Sequence, residues 1–203
     1  MAAVSEIVVR EFFELHGFLV RQQRKFISPR GEDEEIDFFI LNPQADSKAN
    51  ILPFVLEAKD LHAISRAFVV VKGWHTETFS STVLTHAPEI FRFVEPAIFQ
   101  RAAKEFGGDD SILKILVVPA LPQKTEARNQ AIEFLRGKGI DAVIAFRTLL
   151  ADLIQDVEIN RNYQKSDLLQ TIRLLKNYEF IREPQLELFR PKRRKASRKV
   201  DAE

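Results

Sequence analysis

Apolar residues near the start of the chain recur at helical spacing: Ile7, Val8, Phe12 and Leu15 form one stripe between Ser5, a natural N-cap, and Gly17, a stop. The spacing predicts an amphipathic helix from about Ser5 to His16. The pattern then changes. Phe18 to Ile27 begins apolar and turns basic, ending at Ser28-Pro29-Arg30-Gly31, a strand followed by a turn. Glu35-Ile36-Asp37-Phe38-Phe39-Ile40-Leu41 and Ile51 to Lys59 are apolar runs with turn-forming Asn42-Pro43 and Ala49-Asn50 between them, the marks of a β-hairpin. Arg66 to Lys72 reads as one more strand.

From Pro88 the period is helical through Ile98, Ala102 and Phe106 to Gly107-Gly108, with Pro96 placed to kink or divide the helix. Ile112 to Pro119 is a near-continuous apolar run, the pattern of a buried strand. Thr125 to Lys138 is amphipathic, and Ala142 to Phe146 is another buried strand. The period is helical again from Thr148 to Val157, with Leu149, Leu150, Leu153 and Ile154, and from Ser166 to Tyr178, with Leu168, Leu169, Ile172 and Leu175. This alternation predicts an α/β fold with a central mixed sheet flanked by helices over residues 1–147, followed by a C-terminal helical extension over 148–189. Packing on the sheet, a homodimer interface and a small appended subdomain would each use the two last helices, and the period serves all three.

Charge adds a tail to this picture. Residues 190–203 hold seven of the 30 basic residues and two of the 29 acidic ones, so the rest of the chain carries 23 against 27. A basic, disordered tail on an acidic body is the expectation, as a phosphate-binding arm or as a solubilising terminus. The chain has no Cys, which excludes disulfides, thiolate metal sites and a Cys nucleophile. No apolar run approaches about 18 residues, and the start lacks a basic region followed by an apolar core, so a soluble, cytoplasmic protein without membrane contact is expected.

The candidate chemistry lies in the predicted hairpin. Glu57 and Lys59 share a face of the second strand because the period is two, and pairing with the first strand would bring Asp37 beside them. Burying these charges among Phe, Ile, Val and Leu is costly unless they pair or hold a metal. Asp46-Ser47-Lys48 repeats the acid-x-Lys spacing, but its Asn, Pro, Gln and Ser surroundings make it a solvated loop. Glu32, Asp33, Glu34 and Glu35 read as a solvated loop too. Trp74 and His75 follow the Arg66–Lys72 strand; stacking on a base and meeting a phosphate compete with simple packing, and packing is the expectation. His16, His62 and His86 show no metal-ligand spacing with His75, so no His-based metal site is expected.

Asp37 with Glu57-Ala58-Lys59, inside the order helix, three strands, helix, strand, helix, strand, resembles the PD-(D/E)xK nuclease superfamily. The resemblance implies a restriction-endonuclease-like core and an Mg²⁺- or Mn²⁺-dependent endodeoxyribonuclease acting on DNA. It implies Asp37 and Glu57 as metal ligands and Lys59 as the cation that orients the attacking water. It further implies an acid on the first helix facing the site, and counting back about three turns from Gly17-Phe18 selects Glu6 over Glu11 and Glu14. Two other classes stay open: a nuclease-fold subunit that binds nucleic acid or a partner without cutting, and an α/β protein in which Glu57 and Lys59 are a structural ion pair. Neither a glycine-rich phosphate loop nor a Gly-x-Ser-x-Gly elbow is present.

Overall fold

The computed structural model describes residues 2–22, 36–46, 52–106 and 112–181. Five strands form one sheet in the order β1-β2-β3-β4-β5: β1 Leu19–Gln22, β2 Phe38–Leu41, β3 Arg66–Val71, β4 Leu113–Val118 and β5 Ala142–Ala145. The first three form an antiparallel meander, and β3, β4 and β5 run parallel. Parallel pairing needs crossovers, and helices supply them.

The period of two sorts the strands between two cores. Ala67 and Val69 of β3, Ile115 and Val117 of β4, and Ala142 and Ile144 of β5 are buried on one face, with Val9, Phe12 and Phe13 of helix α1 (Ala2–Leu15). Phe68 and Val70, Leu116 and Val118, and Val143 are buried on the other. That second face is covered by helices α2 (Ser81–Thr85), α3 (Pro96–Glu105) and α4 (Thr125–Gly137) and a 3-10 turn over Pro88–Val94. Sheet strands buried on both sides need continuous apolar runs, which is why β3 and β4 read as Val- and Ile-rich stretches.

Helices α5 (Phe146–Asp156) and α6 (Asp167–Asn177) place Leu149, Leu153, Leu169 and Ile172 in the same core as α1. Of the three uses open to them, they take packing on the sheet. Residues 148–181 therefore complete the core of 1–147. The side chain of Lys176, 8% exposed, fastens them together: its Nζ donates to the carbonyls of Ile154 at 3.0 Å and Val157 at 2.8 Å, which the end of α5 leaves without helical partners. Residues 182–203, including the basic tail, lie outside the described residues, as do the acids at 32–35 and the second acid-x-Lys at its Ser47 and Lys48.

Helix α1 begins at Ala2 rather than at a Ser5 cap, and two further elements differ from the sequence expectation. The helix predicted from Pro88 to Phe106 divides at Pro96, as a 3-10 turn over Pro88–Val94 and then α3, with Pro96 opening the second piece where its missing N–H costs nothing. The larger difference is the hairpin. β2 pairs with β1 and β3, Phe38 facing Val69, and the 51–59 run is not its partner. Among the described residues, that run makes one isolated parallel bridge, Val55 to Val143, with Leu56 N donating to Val143 O at 2.9 Å and Val143 N to Phe54 O at 2.7 Å. Pro53 removes one ladder donor. Glu57 then leaves the extended chain to cap a 3-10 turn over Ala58–Ala63, its side chain taking a turn amide while Asp60 takes the Glu57 amide at 2.8 Å. Local capping ends this strand before it can pair further.

Candidate functional site

Asp37 leads into β2 and is partly buried. Its Oδ2 accepts from the Val71 amide at 2.6 Å, and its own amide donates to the Val69 carbonyl at 3.1 Å, one residue out of the β2–β3 register. The carboxylate thus ties β2 to the last residue of β3, a charge-assisted bond to backbone. The next residue is Lys72, half-buried, whose amide donates to Val117 O at 3.1 Å. Among the described residues its ammonium has no acidic partner.

Helix α1 and β1 reach the same end of the meander. Gln22, in register with Phe38, donates from Nε2 to Glu6 Oε2 at 2.8 Å. Ser5, 1% exposed, shares a 2.9 Å hydrogen bond with Nε2 of His75 in the segment after β3. Between them Gly73 lies so close that a Cβ there would stand 2.5 Å from Ser5 Oγ. Only glycine lets the chain leave β3 past the start of α1 at this distance. Gly73→Ala is expected to cost roughly 1–3 kcal/mol by overpacking. Thermal melts of Gly73→Ala, Ser5→Ala and the double variant check this: the double loss falls well short of the sum of the singles, and strict additivity would place the crowding elsewhere.

Glu57 and Lys59 are elsewhere. Their side chains form an ion pair at 2.6 Å, 62% and 75% exposed. Lys59 holds the Glu57 carboxyl below its usual value, first by the hydrogen bond and then by charge, and Glu57 raises Lys59 in return. Such an exposed pair contributes little to stability. The segment carrying Glu57 pairs with β5, so β3, β4 and β5 stand between it and β2. Four strand spacings of about 4.8 Å put it roughly 19 Å from the line of Asp37. A cation holds its oxygen ligands at about 2.0–2.6 Å, so these two carboxylates do not fit Mg²⁺ or Mn²⁺ as a shared ion, and the metal site and water-orienting Lys59 expected from sequence are corrected here. The strand that does lie beside Asp37 is β3, which ends at Val71; Lys72 follows it, and the residue two before that lysine is the apolar Val70.

The other expectations divide. Glu6 does lie on α1 and reaches the meander through Gln22, whereas the buried acid of that helix is Glu11, 5% exposed, paired with Arg10 at 3.0 Å. Trp74, 37% exposed, lies edge-on to Phe79 at 5.6 Å; His75 bonds a Ser side chain and packs on Phe146 at 4.4 Å. Lys72 went unremarked in sequence because it closes an apolar run as any solvated strand end would. Gln22 carried no signal, and Ser5 carried only that of an N-cap, whereas it lies inside α1 and its hydroxyl bonds His75.

On the far side, Glu57 and Lys59 border an open cleft of about 480 Å³ with Arg147, Asp152 and Gln155 of α5. Asp152 also lies 2.6 Å from His16 Nε2. Burial first, then the charge of Asp152, push the Asp156 carboxyl above its usual value, while His16 and Lys176 pull it down. Sequence spacing missed this group because 136 residues separate His16 from Asp152. Among the described residues no helix is long and apolar enough to cross a membrane. No family model, curated protein or solved structure matches the chain.

Proposed function

We propose that the protein binds nucleic acid through the β1–β3 end of a nuclease-like core and does not cut it. One observation carries the reading: the acid leading into the second strand is bonded to the amide just before Lys72, at the end of the third strand. The element order of helix, three strands, helix, strand, helix, strand supports it. Val70 limits it to binding, because metal-assisted phosphodiester hydrolysis needs more than one carboxylate at the metal and the residue two before Lys72 is apolar. Lys72 is the phosphate contact.

A second reading is favoured by Glu6, whose link to Gln22 brings a second acid toward β2. In it the protein is a metal-dependent deoxyribonuclease with Asp37, Glu6 and Lys72 at its site. One experiment separates the two. Full-length protein is titrated onto labelled single- and double-stranded DNA, and the products are resolved after incubation with Mg²⁺ or Mn²⁺. Binding without cutting is expected. Lys72→Ala lowers affinity several-fold and reduces the salt slope by about one unit, whereas Lys59→Ala changes neither. Absence of binding to any DNA sinks the proposal. Metal-dependent cutting that Asp37→Asn abolishes hands the site to the second reading.

A further inference from the structure

We propose that His16, Asp152 and Asp156 together bind one divalent transition-metal ion of the zinc type. His16 follows α1, and Asp152 and Asp156 stand four apart on α5, so both aspartates lie on one helix face. One ring nitrogen and two carboxylate oxygens lie within 4.8 Å of one another. Around a tetrahedral ion with bonds of about 2.1 Å, ligand atoms stand about 3.4 Å apart, so ordinary side-chain rotations close the site. His16 and Asp152 are already in contact and are 21% and 15% exposed, and Asp156 completes the group from the exposed side.

The charges favour an ion. Two carboxylates face a single imidazole, and a cation replaces their mutual repulsion with attraction. The charge that opposes it is Lys176, whose Nζ is engaged by the carbonyls of Ile154, Gln155 and Val157 and so holds the last turn of α5, which carries Asp156, in place. Asp152 borders the open cleft of about 480 Å³, which gives the ion a route from solvent. An imidazole with two carboxylates suits Zn²⁺, whereas Mg²⁺ demands six oxygens in near-ideal octahedral geometry. With three protein ligands, the fourth position of a tetrahedral ion is left to water. The ion would join the end of α1 to α5.

The test uses the full chain stripped of metal with a chelator and then titrated with ZnCl₂ by calorimetry, with thermal melts in parallel. Saturable binding at a single class of site is expected, with a rise in Tm of about 5–10 °C when Zn²⁺ is about a hundred times its Kd. In NMR spectra the imidazole signals of His16 shift and those of His62, His75 and His86 stay in place. Asp156→Asn weakens binding at least about tenfold while leaving the metal-free protein folded, because it removes a crowded charge, and His16→Gln does the same to binding. The proposal is overturned by the absence of Zn²⁺ binding, by binding that Asp156→Asn leaves unchanged, or by an equal response to Mg²⁺, which would reduce the cluster to an ion pair screened by salt.

Discussion

Deleting residues 190–203 should weaken DNA binding by at least about tenfold at low salt and reduce the slope of log K against log [salt] by about 3–6 units. The segment carries seven basic residues against two acids, and each phosphate it neutralises contributes about 0.9 to the slope. The rest of the chain has 23 basic and 27 acidic residues, so its net field repels DNA and the local contact at Lys72 acts against that field. Anisotropy titrations of the full and truncated chains between about 50 and 200 mM salt measure the effect. The Lys72→Ala change of about one unit should persist in the truncated protein, because the tail and the strand end meet different phosphates. An unchanged slope on truncation makes the tail a solubilising terminus and leaves nucleic-acid binding to the β1–β3 end alone.

Phe12→Ala should cost about 3–5 kcal/mol and lower Tm by roughly 10 °C. Phe12 is fully buried between α1 and the sheet, with its ring edge-on to Phe13 at 5.3 Å and to His16 at 4.9 Å. Its loss leaves a cavity between an element near the start of the chain and the helices α5 and α6 near its end, where neighbouring backbone cannot collapse to fill it. A domain of this kind is stable by about 5–15 kcal/mol, so the loss is a large share of the total. Phe180→Ala is the control: the ring is 80% exposed, and the change should stay within about 0.5 kcal/mol. Chemical denaturation of the three proteins decides it. Equal midpoints for Phe12→Ala and the parent would mean that α1 does not complete the core.

The helices and strands that depend on one face of a short segment were legible. Leu149 and Leu153, or Leu169 and Ile172, mark a buried stripe whatever they pack on, and the Val- and Ile-rich runs of β3 and β4 announce burial on both faces. Asp37 was legible as an anomaly, an acid inside an apolar run, and the structure finds it bonded to the neighbouring strand. Its partners were not. The runs at 51–59 and 66–72 are equally apolar, and the nearer one, with a turn before it, looked the better match for β2. The outcome was set by Pro53 and by the Glu57–Asp60 cap on one side, and on the other by a β3 that pairs along both edges. Closing the longer loop costs little extra entropy, so the longer strand wins.

Sequence by itself determined an α/β fold with a mixed sheet and most of the buried stripes, because burial and periodicity are properties of each segment alone, although Ile7 and Leu150 of those stripes are exposed. Tertiary structure decided which strand lies beside Asp37, and with it that Lys72 rather than Lys59 is the neighbouring cation. It also decided that His16 meets Asp152 across 136 residues and that Lys176 closes the end of α5. Those are contacts between segments whose local patterns are compatible with many partners, and only the competition among all pairings in one packed core selects them.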